Sequence, residues 1–426
     1  RLAGIADAFL MHDRDILNRL DDSVVRNDAH GPSILRRARG LAPASIRMPE
    51  GFLGAPPVLA IGGDLKSAFC LLRDGAATLS QHMGDLSDAR TFEEFEQALD
   101  LYSRLFGFRP ARIAVDQHPG YLSTRLGRAI TERLGLALVP VQHHHAHLAA
   151  VLAENGHAPD GGNVLGIVMD GTGLGSDGTI WGGEMLLGGY RGFERVGHFE
   201  PVPLIGGDRA AREPWRNALA HLRAAYAMDD IAELARRPDL AWIGTKPLNT
   251  IEHMIQRGLN TPLTSSAGRL FDAVAALAGV CRERLSFEGE AGLALEVLAE
   301  PFMGVEPADC GYPVAIGLGD PIVLSFRPMF ASIVAELGTG VPAGVIAARF
   351  HAGLIAALAE AAGRIARNRG VCTVALSGGV FQNRLLLDGL GAALGDHGLR
   401  VLRHTEVPAN DGGLSLGQAA IAALRP

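Results

Sequence analysis

Two stretches of the chain carry the same order of apolar and polar positions. The first runs from Pro57 to Gly84. It has an apolar run, Val58-Leu59-Ala60-Ile61, a glycine turn with an acid, Gly62-Gly63-Asp64, and then two further strand patterns. The second starts at Val164-Leu165-Gly166-Ile167-Val168-Met169, passes through Asp170-Gly171-Thr172-Gly173, and returns through Thr179-Ile180-Trp181 and Met185-Leu186-Leu187. Runs this short between glycine turns read as buried strands. Their recurrence about 100 residues apart predicts a duplicated α/β unit. Helical periodicity follows each copy: Thr91 to Phe106 and Leu122 to Leu134 after the first, and several helices between about 210 and 300 after the second. A third strand, Thr373-Val374-Ala375-Leu376, turns at Ser377-Gly378-Gly379 into a helix predicted over Val380 to Leu390. Ala343 to Arg369 reads as one long Ala-rich helix, and Leu414 to Leu424 as the last, entered through Asn410-Asp411-Gly412-Gly413.

The pattern divides the chain. Residues 1–48 are charged and irregular, with Asp13-Arg14-Asp15, Asp21-Asp22-Ser23 and Arg36-Arg37-Ala38-Arg39-Gly40. Residues 49–57, between Pro49 and Pro57, read as a Pro-rich linker. The first half of the duplicated core is expected over 58–163 and the second, with helical insertions, over 164–409. Residues 410–426 form a closing helix.

Composition narrows the class. The chain has 426 residues, 48% hydrophobic and 20% charged, which is globular and excludes disorder. Its formal net charge of −7 offers no electrostatic footprint for a nucleic-acid backbone. Cys70, Cys281, Cys310 and Cys372 form no CxxC pair, which suits a reducing cytoplasm. No window reaches about 18 uninterrupted apolar residues, so no membrane span is expected. The chain opens on Arg1 with no signal-peptide pattern.

The sharpest chemical signal is Gln142-His143-His144-His145-Ala146-His147. On a helix from about His143 to Glu154, His143 and His147 share one face one turn apart. Two imidazoles so spaced suit iron or zinc, with oxygen ligands from elsewhere. A polar helix start is the plainer alternative. In Asp170-Gly171-Thr172-Gly173 the glycines allow close backbone approach to an anion, Thr172 adds a hydroxyl, and Asp170 can ligate a metal. An ordinary strand-end turn competes. Ser377-Gly378-Gly379 before a helix offers bare backbone to a nucleoside, with Asn383 one turn inside. Asp411 is either an N-cap or a metal ligand. Asp272 and Glu288, beside glycines, are candidates for ribose hydroxyls, or surface caps. Gly206-Gly207-Asp208-Arg209 with Arg212-Glu213-Pro214-Trp215-Arg216 can present guanidinium groups to a phosphate or carbamate, or simply start a helix. No Walker or dinucleotide fingerprint occurs.

Taken in order, these segments resemble the HypF carbamoyltransferases and, more distantly, the tRNA threonylcarbamoyl-transfer enzymes of the TsaD type. QHHHAHLAAVLAENG, DGTGLGSDGTIWGGE, ALSGGVFQNRLL, GGDLKSAFCL and SQHMGDL carry the resemblance over about residues 55–426. FLMHDRDILNRLDDSVVR and RRARGLAP resemble the end of the YrdC-like domain that precedes this core in the family. The acylphosphatase-like domain, the zinc-finger CxxC pairs and most of the YrdC-like unit have no counterpart. Ile205 in PLIGGD stands where the family more usually has Pro.

The resemblance implies an actin/Hsp70-like (ribonuclease H-like) nucleotide-binding fold whose C-terminal helix returns to the first half. It implies ATP, with Mg, and carbamoyl phosphate as inputs, carbamoyl adenylate as intermediate, and the C-terminal cysteine of a HypE-like protein as acceptor. The product serves cyanide-ligand synthesis in [NiFe] hydrogenase maturation. His143, His147, Asp170 and Asp411 are then the catalytic residues and the ligands of one divalent iron or zinc ion. Gly171, Thr172, Gly173, Asp272, Glu288, Ser377, Gly378, Gly379 and Asn383 are then the nucleotide-binding residues. Neither nucleic acid nor membrane is expected as a partner. Two alternatives stay open: O-carbamoyl transfer to a small hydroxylated metabolite, and a non-catalytic ATP-binding module.

Overall fold

The computed structural model describes residues 2–16, 18–28, 31–305 and 310–425. Arg1, Leu17 in the quoted N-terminal phrase, and Pro426 lie outside the described residues. An antiparallel pair, β1 (Val24–Asp28) and β2 (Gly31–Arg36), precedes the core.

The first half is a six-stranded sheet of β3 (Ser45–Arg47), β4 (Val58–Ala60), β5 (Cys70–Arg73), β6 (Ala76–Leu79), β7 (Arg112–Asp116) and β8 (Ala137–Val141), in the order β3-β6-β5-β4-β7-β8. Helices α1 (Ala89–Leu105) and α2 (Leu122–Leu134) sit between its strands, and α3 (His143–Glu154) follows. The second half opens with β9 (Val164–Leu174), β10 (Ile180–Gly189) and β11 (Gly192–Phe199). A helical insertion follows: β12 (Val202–Pro203), α4 (Pro214–Ala225), α5 (Met228–Leu234), α6 (Leu248–Arg257), β13 (Leu263–Thr264), α7 (Ala267–Leu277) and α8 (Glu290–Ala299). After it come β14 (Ala315–Ile316), β15 (Ile322–Ser325), α9 (Arg327–Gly338), α10 (Ala343–Arg369), β16 (Thr373–Ser377), α11 (Arg384–Asp396), β17 (Arg400–Leu402) and α12 (Leu414–Leu424).

The core order β11-β10-β9-β16-β17 repeats β6-β5-β4-β7-β8 strand for strand. Each half has three antiparallel strands, then two added in parallel. This is the duplicated actin/Hsp70-like fold. The core strands are apolar runs because both faces of each sheet are covered. The terminal helices are exchanged between halves. α3 packs on β9, β10 and β16, α12 packs on β4, β5 and β7, and the two helices pack on each other. Gly417 makes that crossing possible, since a Cβ there would strike the carbonyl oxygen of Ala146.

Two local expectations change, and a third feature, the long helix over Ala343–Arg369, stands as expected. Ser45–Arg47 is an edge strand of the first sheet, and Ile46, Met48 and Phe52 belong to its hydrophobic core. Phe52 meets Tyr190 edge to face at 5.3 Å. The Pro-rich stretch is therefore held by packing, and the core begins before residue 58. The helix expected from Val380 starts at Arg384, because Gly379–Gln382 forms a single 3-10 turn. Asn383 caps that helix, its Oδ1 accepting the Leu386 N–H at 3.0 Å, instead of lying one turn inside. Finally, α10 is long and apolar enough to cross a membrane by length and composition. It packs against α7, α8, α9 and α11, with 67% of its most apolar window buried.

Candidate metal centre and nucleotide cavity

Two glycine–acid segments and two helix starts meet between the halves. α3 opens with Gln142, whose side-chain oxygen caps the N–H of His145 at 2.8 Å. Its four histidines are all buried, and the 3.6-residue period sorts them. His144 takes a hydrogen bond at Nδ1 from the Gln142 amide (3.0 Å), and His145 donates from Nε2 to the Gly189 carbonyl (2.6 Å). Burial keeps both neutral, His145 at about 4. Only His143 and His147 turn toward the centre.

Asp170 reaches the same point by a different device. Gly173 pairs with Trp181 and Met169 with Gly183, so Asp170-Gly171-Thr172 bulge out of the β9–β10 ladder. The expected strand-end turn is thus an irregularity within β9, which continues to Leu174. The Gly379 N–H holds Asp170 Oδ1 at 3.2 Å, leaving Oδ2 facing the histidines. Asp411 enters on the 3-10 turn Asp411–Gly413 that leads into α12, and Asn410 caps that turn.

His143 Nε2 lies 3.3 Å from Asp170 Oδ2 and 3.6 Å from Asp411 Oδ1; the corresponding distances from His147 Nε2 are 3.8 and 3.5 Å. The four ligand atoms lie within 4.8 Å of one another. Among the described residues neither Nε2 has a partner in hydrogen-bond geometry, a costly state for a buried polar atom unless something fills the gap. A tetrahedral ion with bonds of about 2.1 Å has ligand–ligand edges of about 3.4 Å, so the cluster fits a borderline divalent metal. Asp116, at the end of β7, adds what the sequence did not reveal. Its Oδ2 accepts the Nδ1–H of His143 at 2.7 Å, which fixes the tautomer with Nε2 free for a metal. No motif marks Asp116; it only ends an apolar strand.

The charges are mutually dependent. Burial opposes a proton on His143, but the Asp411 and Asp116 carboxylates outweigh it and hold that proton well above the ordinary imidazole value. Burial likewise opposes charge on Asp170 and Asp411, and the histidines outweigh it, holding both carboxyls below their ordinary value. A divalent ion would take the place of that proton, so its affinity rises with pH.

Beside the cluster lies a cavity of about 270 Å³, walled in part by Asp170, Gly171, Asp272, Glu288, Gly379 and Asn383. Thr172 and Gly173, grouped with them from the sequence, line a separate cleft of about 850 Å³. Gly173 packs under the histidines: a Cβ would stand 2.6 Å from His144 Cε1. Ser377 and Gly378 also stay off the cavity wall. The Ser377 hydroxyl is buried against His404 (2.7 Å), and Gly378 packs on the Met169 carbonyl. Arg212 lines the wider cleft with Asp208, whereas Arg216 pairs with Glu213 at 2.7 Å and lies over Trp215. Unforeseen wall residues are Arg26, Phe271, Phe287, Glu296 and Lys66. Arg26 comes from the supposed tail: it donates to the Gln382 carbonyl at 2.6 Å and pairs with Glu296 at 3.3 Å. Lys66 pairs with Glu288 at 2.5 Å, and both line cavity and cleft.

Asp272 is buried, with Arg269 Nε at 2.7 Å but without hydrogen-bond geometry. Burial therefore prevails and lifts its carboxyl to about 6. Between about pH 4, where an unfolded aspartate titrates, and pH 6, the folded state binds the extra proton. Stability then falls as pH rises through that window. Wild type is expected to lose stability relative to Asp272→Asn between pH 4 and 6, by about 3 kcal/mol, measured by urea unfolding. Unpairing Arg269 adds a pH-independent offset that leaves this slope unchanged.

A duplicated actin-like core, with a His₂Asp₂ cluster between its halves and a cavity at the cluster's edge, defines a protein of the actin/Hsp70-like nucleotide-binding class. Family models agree. The HypF Kae1-like domain matches residues 54–154, and the second subdomain of the carbamoyltransferase Kae1-like domain matches residues 166–418. The chain belongs to the HypF carbamoyltransferase family. It is 48% identical to the carbamoyltransferase HypF of Rhodobacter capsulatus, over 100% of this chain and 54% of that protein. It is 39% identical to a carbamoyltransferase HypF homolog of Cupriavidus necator, over 87% of this chain and 92% of that protein. A crystal structure of full-length HypF in its phosphate- and nucleotide-bound form superposes with a TM-score of 0.88 at 38% identity, covering 99% of this chain and 64% of the other. The chain spans about half the length of most curated relatives it matches.

Proposed function

We propose that the chain carries out the transfer half of an ATP-dependent carbamoylation, moving a carbamoyl group from carbamoyl adenylate to the C-terminal cysteine of a HypE-like partner in [NiFe] hydrogenase maturation. The supporting observation is the double placement of Asp170, which belongs to the His₂Asp₂ cluster and also lines the cavity beside it. A mixed anhydride with its adenosine in that cavity has its reacting end at the cluster.

His143, His147, Asp170 and Asp411 hold one divalent iron or zinc ion, which when bound supplies Lewis-acid polarisation of an oxygen. Asp116 keeps His143 in the ligating tautomer. Gly171 and Gly379 let the ligand approach bare backbone, Asp272, Glu288 and Asn383 offer hydrogen bonds to the nucleoside, and the buried Phe271 gives the wall an apolar surface. The cysteine, having lost its proton to solvent, attacks the carbamoyl carbon. A C–S bond forms, the C–O bond to phosphate breaks, and AMP leaves with the electron pair. Lys66 and Glu288 separate the cavity from the wider cleft, which is left for the acceptor. Adenylate formation from ATP, with Mg, and carbamoyl phosphate falls to the part of the relatives that this chain does not span.

The test supplies synthetic carbamoyl adenylate and a partner peptide ending in cysteine, and seeks a carbamoyl adduct on that cysteine by mass spectrometry. An adduct is expected. Silence with the adenylate refutes transfer to the thiol. Transfer to a small hydroxylated acceptor, or ATP binding without transfer, would then stand in its place.

A further inference from the structure

Glu154 closes helix α3, about three turns from His143 and two from His147, and its side chain is fully buried. Such a carboxylate is expensive unless every lone pair is used, and here the bonds converge on it. Oε2 accepts the backbone N–H groups of Thr405 (2.9 Å), Glu406 (2.6 Å) and Val407 (3.3 Å). Oε1 accepts the Nδ1–H of His404, and His404 Nε2 meets the Ser377 hydroxyl at 2.7 Å. The neighbouring Asn155 amide donates to the Arg403 carbonyl at 2.9 Å.

Each bonded segment leads to an acid of the cluster. Thr405–Val407 run into the turn that carries Asp411. Ser377 precedes the Gly378-Gly379 turn, whose Gly379 N–H holds Asp170. The Gly378 N–H bonds the Ala409 carbonyl at 3.0 Å and ties the two segments together. Ser377, His404 and Glu154 have the order of a nucleophilic relay, but Ser377 is fully buried and lines neither cavity nor cleft, so no substrate reaches it.

We infer that Glu154 is a positioning residue for the His₂Asp₂ centre: from the far end of the helix that bears both histidines, it sets where Asp411 and Asp170 stand. The inference rests on the metal reading above. It is tested with the full chain by titration with Co²⁺ alone, following the cobalt absorption band and competition with a chelator. Glu154→Ala is expected to weaken cobalt about 10–100-fold, as outer-shell losses do, and to change the band, which reports ligand geometry. Glu154→Gln is expected to recover most of the affinity. Its carbonyl oxygen can keep the three backbone N–H groups while its amide donates to His404 Nδ1 and reverses that ring's tautomer. If Glu154→Ala does not fold, Ser377→Ala, which removes only a hydroxyl, carries the test with an expected loss of about threefold and a shifted band. Wild-type affinity and spectrum in the folded alanine variant overturn the inference. A wild-type chain that binds no cobalt overturns the metal reading, and the inference falls with it.

Discussion

His147→Ala is expected to leave the chain folded but without its metal, and to lower carbamoyl transfer at least about a hundredfold. Losing one of four ligands should exceed the 10–100-fold typical of outer-shell losses. The fold should survive because, among the described residues, His147 Nε2 has no hydrogen-bond partner and meets only the two carboxylates of the cluster, which keep His143 beside them. Removing it leaves a void and takes from Asp170 and Asp411 one of the two imidazoles that hold them ionised, so the metal-free variant should melt below metal-free wild type but still fold. His143→Ala should cost more stability, since Asp116 would lose the Nδ1–H it accepts at 2.7 Å. Breaking a buried charged pair costs about 3–5 kcal/mol, and here somewhat less, because Asp116 Oδ1 keeps the His118 N–H at 2.8 Å. Elemental analysis of the purified variants, with the adduct assay, reads both effects. A His147→Ala chain with stoichiometric metal and full transfer would refute the assigned ligand set.

Gly417→Val is expected to be the most damaging single change outside the centre, at about 4 kcal/mol or more of lost stability. A side chain at 417 meets the Ala146 carbonyl and the Ala150 nitrogen, which are backbone atoms of α3. Neither can move aside by a rotamer change, so α12 must lift away from α3. That separation also parts Asp411, at the start of α12, from His143 and His147. Stability and metal affinity should therefore fall together, read by urea unfolding and cobalt titration. Gly395→Ala, at an exposed position of α11 with nothing within 4 Å of a new Cβ, serves as control. It should be neutral or gain up to about 1 kcal/mol.

Much of the architecture was legible because its cause is local. The apolar runs that begin both halves, and the helices Leu122–Leu134, His143–Glu154, Ala343–Arg369 and Leu414–Leu424, lie where periodicity puts them. Misplaced features were those where a local signal met a tertiary one. Val380 to Gln382 are compatible with a helix, but Gly378 is pressed on the Met169 carbonyl with φ of 101°, so the helix waits for Asn383 to cap it. Met48 read as the end of the charged tail and Phe52 as linker because prolines surround them, yet both side chains belong to the hydrophobic cluster that the two halves share.

For the site, the residue types carried the chemistry and the spacing HxxxH fixed one face of one helix. The sequence by itself determined the duplicated strand pattern, the helices, and which segments bear ligating or backbone-exposing residues. These depend on the 2- and 3.6-residue periods and on glycine, all set within a few positions. Only the tertiary structure decided that Asp170 and Asp411 meet His143 and His147, that Asp116 stands behind His143, and that Arg26 reaches the cavity. It also separated Thr172, Gly173 and Ser377 from that cavity. Those outcomes depend on how two sheets and two exchanged helices pack, which brings together atoms far apart along the chain by burial and close contact, and no local pattern encodes that.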